Sequence, residues 1–303
     1  MYFQRISLAL FGLFFLLGPT NALAHNGQEK SSLRDYSFFE LWNPLLFVGV
    51  IAVFLLYLFF INKNQRDNPE FISVSIIKKI SFFTGLIVFY IALGTPLHVL
   101  GDDFLFSVHM LNQSLVYIVM PPLLLIGLEK WMVQSVIKIG NKYNILSILK
   151  VPLIPLILFN ILFSFYHIPI IFDFLVSNTI FHNLTHIVLT ISAFLMWIPV
   201  IPVAEELDKL SPLQKLGYIF AGGVLLTPAC ALIIFADEPM YAVYSSAPQL
   251  SAYLGPVDDQ QTGGIIMKLV QELVYGVIIG YIFFKWVKQE QTIDENVSTI
   301  NVE

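Results

Sequence analysis

The sequence predicts an all-α integral membrane protein, a seven-helix transmembrane bundle that follows an N-terminal signal peptide. Three observations lead there. Hydrophobic residues make up 57% of the 303 residues and charged residues only 12%, whereas a soluble domain carries about 25% charged residues. Apolar runs of the roughly 20 residues needed to cross a bilayer recur along the chain. They are continuous rather than alternating, which argues against a closed β-barrel. Lysine and arginine then gather in alternate linkers, as they do on the cytoplasmic side of a membrane.

The first element is the signal peptide, 1–24. Arg5 supplies a positive start, 6–19 an apolar run, and Ala22-Leu23-Ala24 a small-residue cleavage site. An uncleaved first helix is the alternative, disfavoured because the run is short for a span. Residues 25–41, beginning with His25, form an extracellular segment. Seven spans are expected near 42–62, 80–99, 104–128, 151–170, 179–201, 214–236 and 264–287, within a membrane domain of 42–288.

Orientation follows from the linkers. Lys63, Arg66, Lys78 and Lys79 precede the second span, and Lys130, Lys138, Lys142 and Lys150 precede the fourth. Lys209 and Lys215 precede the sixth, and Lys285 and Lys288 close the seventh. The opposite linkers, 100–103, 171–178 and 237–263, hold no lysine or arginine. The N-terminus is therefore expected outside and the C-terminus in the cytoplasm. The polar tail 289–303 is expected to be disordered, and 237–264 to be a long loop capping the outer face.

Several smaller features have structural readings. Pro121-Pro122 and Pro228 kink their helices. Trp197 and Trp286 belong to an aromatic belt at the inner leaflet. Gly222-Gly223 and Gly263-Gly264 allow close helix contact, and the second pair loosens the start of the seventh span. Lys268 and Glu272 are spaced i,i+4 and pair. The single cysteine, Cys230, excludes an intrachain disulfide and any Cys-x-x-Cys chemistry. No basic cluster suited to nucleic acid is present.

The histidines carry the functional signal. The chain has six, and the topology places all of them, from His25 and His98 onward, on the outer side. His109 lies a turn or two inside the third span. His167 closes the fourth, and His182 and His186 share a helix face at the start of the fifth. Polar side chains at membrane depth need partners or water. A single membrane histidine often does no more than bond a neighbouring helix. Four at one depth suggest a metal site of His109, His167, His182 and His186. Imidazole suits copper, zinc and iron. Met110, Gln113, Asp259 and Gln260 are candidate extra ligands or supports, and Met240 and Met267 could serve Cu(I) as thioethers.

Three segments then resemble one known family. They are 106-FSVHMLNQSLVYIVMPPLLLIG-127, 167-HIPIIFDFLVSNTIFHNLTHIVLTISAFLMWIP-199 and 259-DQQTGGIIM-267. In this order, across about 37–288, they are similar to the multi-pass CtaG family of caa3-type cytochrome c oxidase assembly factors. One difference is visible. Many members carry His-Met-x-Gln-His in the third span, but here Gln113 stands where the second histidine would be. The resemblance implies a bacterial plasma-membrane protein that is not an enzyme. It implies oxidase subunits as partners, copper as the handled metal, and an extracytoplasmic copper carrier as a possible donor. A haem- or quinone-binding redox protein and a metal transporter are the competing readings.

Overall fold

The computed structural model describes residues 31–67, 73–250 and 253–300. The expected signal peptide and His25 lie outside the described residues. Among the described residues the regular elements are all helical: α1 (Phe38–Trp42), α2 (Pro44–Asp67), α3 (Ile76–Gly94), α4 (Pro96–Asp103), α5 (Phe106–Ser114), α6 (Met120–Gly127), α7 (Lys130–Lys142), α8 (Leu153–Tyr166), α9 (Pro169–Val176), α10 (Thr179–Trp197), α11 (Pro212–Ile234), α12 (Ala242–Ser245) and α13 (Pro256–Ile300). Among the described residues six stretches are long and apolar enough to cross a membrane. Counting α8 and α9 as one span bent by 80° makes seven.

Prolines decide where these helices break. The expected second span, 80–99, stops at Gly94 because Pro96 starts α4, whose first turn is capped by Thr95. The expected fourth span stops at Tyr166. Ile168 adopts the extended conformation (φ −67°, ψ 123°) that a residue before proline prefers, and Pro169 opens α9 in a new direction. The linker expected over 171–178 is therefore largely helix. Ser211 caps α11 in a capping box with Gln214.

The central helix is the third span. Of its apolar window 72% is buried inside the bundle, against 22–39% for the other single-helix spans. It is continuous through α5, a π turn at Leu115–Val119 and α6. The π turn lies just before Pro121-Pro122, so the proline pair perturbs this helix as its composition predicts. Pro121 and Pro122 have no N–H, so the Tyr117 carbonyl lacks both the i+4 and the i+5 backbone donor. It accepts from Trp197 Nε1 instead, at 3.1 Å. Trp197 is 2% exposed. The expected place for it in an aromatic belt is thus corrected: the indole is drawn inward by an orphaned carbonyl.

The last helix also differs from expectation. α13 begins at Pro256, not near 264, and runs through Ile300, so the tail expected to be disordered is helical there. Gly263-Gly264 lies within this helix and does not loosen its start. A Cβ on Gly263 would sit 2.7 Å from Phe106 Cδ1, and one on Gly264 2.7 Å from Ile234 Cγ1. The pair lets α13 lie directly against α5 and α11. Lys268 and Glu272 pair as expected, at 2.7 Å.

The two ends of the bundle differ in charge. At one end, ion pairs tie the basic connections together: Lys78–Glu129 at 2.9 Å, Lys130–Glu206 at 3.1 Å and Lys215–Asp208 at 2.8 Å. His98, His109, His167, His182 and His186 all belong to the other end. The connection between α11 and α13 covers that end. Its tyrosines fasten it down: Tyr241 OH donates to the His167 carbonyl at 2.9 Å and Tyr244 OH to the Gly101 carbonyl at 2.6 Å. The Asp173 carboxylate accepts from the Ala242 N–H at 3.1 Å, at the start of α12.

Candidate metal centre

Two of the expected ligands meet, together with one that sequence reasoning did not name. Asp102, His109 and His182 each present a ligand atom, and these atoms lie within 4.8 Å of one another. Three segments bring them there. α4 rests on α5 because Gly101 has no side chain; a Cβ there would be 2.8 Å from Asn112 Nδ2 and 3.0 Å from the His109 backbone. That approach puts Asp102 Oδ1 at 3.7 Å from His109 Nδ1. His182 stands one turn into α10, whose start is capped by Asn178.

His186 joins through its neighbour. Its Nε2 is 2.9 Å from His182 Nε2, and its Nδ1 is 2.5 Å from the Tyr117 hydroxyl. Two imidazole nitrogens facing each other at this distance share one proton. On the far side of His109, Nε2 faces Gln113 Nε2 at 2.8 Å and the Tyr166 hydroxyl at 3.1 Å.

The other expected ligands are directed elsewhere. His167 Nδ1 bonds the Phe163 carbonyl one turn back on its own helix, at 2.8 Å. Its Nε2 is buried with no partner among the described residues. Asp259 caps α5 from across the bundle. Its carboxylate accepts from the Phe106 N–H at 2.7 Å, the Ser107 N–H at 3.2 Å and the Ser107 hydroxyl. Gln260 holds the covering loop, accepting from the Met240 N–H at 2.7 Å. Met110 packs against the Gly263 position, and Met267 Sδ accepts from the Ser114 hydroxyl at 2.7 Å. These thioethers serve the α5–α13 contact.

Asp102, Tyr117 and Tyr166 are the residues that the sequence reading missed. Asp102 had a local signal, since His98 lies four residues before it and the two come within 3.4 Å. Tyr117 is eight residues beyond His109 and so near the same helix face. Tyr166 gave no signal beyond adjacency to His167.

The electrostatics suit a cation. Burial alone would raise the Asp102 carboxyl, but the imidazoles of His98, His109 and His182 outweigh it and hold the group below the usual carboxylate range. The donor atoms are imidazole nitrogen and carboxylate oxygen, a set that fits zinc or oxidised copper better than Cu(I). His109 is 2% and His182 8% exposed, while the Asp102 side chain keeps 25%. The residues present therefore fit one partly covered divalent ion.

The fold and site define a class: a helical bundle of membrane-crossing proportions with an imidazole–carboxylate cluster under a tyrosine-pinned loop at one end. The family model described as cytochrome c oxidase caa3 assembly factor (Caa3_CtaG) matches residues 55–289, and the chain belongs to that family. No curated protein and no solved structure matches it significantly.

Proposed function

We propose that this chain is a non-enzymatic, multi-pass plasma-membrane factor that holds copper at the extracytoplasmic end of its bundle for a caa3-type oxidase. One observation carries the reading: Asp102, His109 and His182 converge within 4.8 Å. They do so at the end whose connecting segments 100–103, 171–178 and 237–263 hold no lysine or arginine. By the distribution of basic residues that end faces outward, with the N-terminus outside, a cleaved signal peptide at 1–24 and the C-terminus in the cytoplasm. The oxidase subunits are the partners, and a soluble extracytoplasmic carrier is a fitting source of the metal.

The residues assist copper in named ways. His109, His182 and Asp102 supply its ligands, and His186 lies within reach as a fourth. Tyr117 and the Gln113–Tyr166 pair orient the imidazoles from behind. The tyrosine-pinned loop restricts water and competing cations.

The competing readings fit less well. A haem plane against His109 needs a slot as wide as the macrocycle, but Phe172 and Tyr244 already stand at centroid distances of 5.4 and 6.1 Å from that ring. A transport path is opposed by the aromatic floor below the cluster, where Tyr117 packs on Phe159 and Phe163 at 6.3 and 6.4 Å.

Deleting the protein from its host tests the role, with oxidase activity and oxidase copper content measured with and without added copper. Loss of both, restored by copper, is expected. Normal oxidase copper in the deletion strain would remove the proposal. Purified protein should bind Cu(II), and the His182→Ala/His186→Ala double variant should not.

A further inference from the structure

His109 is held from two sides by groups of different character. Its Nδ1 faces Asp102 Oδ1 at 3.7 Å, and a carboxylate only accepts. Its Nε2 faces the Gln113 carboxamide at 2.8 Å and the Tyr166 hydroxyl at 3.1 Å, and each of these can donate or accept. Gln113 is 1% exposed. Its Oε1 has no partner among the described residues. A buried acceptor left bare costs about 1–3 kcal/mol, so its placement calls for a reason.

A neutral imidazole carries one proton on its two nitrogens. Without an ion, that proton belongs on Nδ1, facing Asp102, and Nε2 accepts from the Gln113 amide. A cation beside Asp102 and His182 takes the Nδ1 lone pair, so the proton must move to Nε2. There it needs an acceptor, as the second N–H of a metal-bound imidazole almost always finds one. Half a turn of the Gln113 amide puts Oε1 where the NH2 was, with almost no change of shape. Tyr166 can take a share, but among the described residues the amide is the neighbour of His109 with a buried, unused acceptor. Asn112 Oδ1 is bare as well, but among the described residues the polar groups at His109 Nε2 are Gln113 and Tyr166, not Asn112.

We propose that Gln113 is a positioning residue whose carboxamide reverses when Asp102, His109 and His182 take a divalent cation, fixing His109 as the tautomer that binds through Nδ1. The inference rests on the copper reading above and adds to it how the site passes between its empty and loaded forms. The i,i+4 spacing of His109 and Gln113 on a buried helix face keeps the two in register throughout.

The test uses the purified full chain, titrated with Cu(II) against a competing chelator. Electron spin-echo envelope modulation then reads the remote nitrogen of each coordinated imidazole, whose signal responds to its hydrogen bond. Gln113→Leu should weaken Cu(II) binding roughly 10- to 100-fold, the range for lost outer hydrogen bonds, and shift the remote-nitrogen lines of one imidazole. Gln113→Glu keeps the shape and an acceptor, and should hold parental affinity and lines. A Leu variant identical to the parent in both readouts overturns the inference and leaves copper binding standing. If the Leu variant does not fold, the Glu variant decides: a loss beyond about tenfold overturns the inference. A parent that binds no Cu(II) overturns this inference and the copper reading together.

Discussion

The Trp197 indole donates to the Tyr117 carbonyl over 3.1 Å, and the Tyr117 hydroxyl meets His186 Nδ1 at 2.5 Å. One residue thus joins the middle of the central helix to the histidine cluster. The join exists because Pro121 and Pro122 take away the two backbone donors that the carbonyl would otherwise use. What looks in sequence like a helix kink is, in three dimensions, the support under His186.

Replacing Trp197 with Phe keeps an aromatic body and removes the donor. The Tyr117 carbonyl is then buried and bare, at a cost of about 1–3 kcal/mol. The variant should unfold earlier in a detergent titration and bind copper more weakly, because Tyr117 no longer sits firmly. Unchanged stability would mean that the carbonyl has another donor.

Asp102 and Asp259, two of the carboxylates at this end, should separate on substitution. Asp102→Asn removes a proposed ligand whose side chain is 25% exposed. It should lower the copper affinity of the folded protein at least about tenfold, since even outer-shell losses reach that scale. Asp259→Asn weakens the cap on α5, where charge-assisted bonds contribute about 1.5–3 kcal/mol each. It should lower the unfolding midpoint, and the folded fraction should still bind copper. The reverse pattern would exchange the roles assigned here.

Much of the fold was legible because bilayer-length apolar runs and basic linkers are long-range signals that survive local irregularity. The breaks were less legible. Pro169 ends one helix and begins another, α9, with no change of hydropathy, and Pro96 begins α4 within a stretch that reads as the end of one span. The histidine end was legible from depth alone, and His109 and His182 do meet. Asp102 was legible only as a partner four residues after His98; its approach to His109 depends on Gly101 letting α4 close on α5, a contact that no spacing rule contains. Asp259 and Gln260 shared the right depth but point to backbone N–H groups, and depth carries no information on direction.

Glycine substitutions along α13 test the close packing. At Gly263 an added methyl group would stand 2.7 Å from Phe106 Cδ1 and 3.0 Å from Met110 Cγ. Overpacking of that kind costs about 1–3 kcal/mol. At Gly276 the same methyl meets nothing within 4 Å, and helix propensity favours alanine by up to about 1 kcal/mol. Gly263→Ala should therefore destabilise the bundle, and Gly276→Ala should leave it unchanged or more stable. Equal effects at both positions would contradict the packing of α13 against α5.

The pH dependence of copper binding follows from Asp102. Its folded pKa is depressed, because the imidazoles of His98, His109 and His182 outweigh the effect of burial. A depressed carboxylate contributes fully above its unfolded value and is lost only as pH falls through the lower folded value. Between pH 7 and pH 5, then, Asp102 stays ionised and offers copper a charged oxygen throughout. Asp102→Asn should therefore bind copper more weakly than the parent at pH 5 as well as at pH 7. An infrared difference spectrum of the metal-free protein between these two pH values should show no protonated-carboxyl band that Asp102→Asn removes. Such a band would show that Asp102 takes up a proton in this range, and that its carboxylate is not held by the histidines beside it.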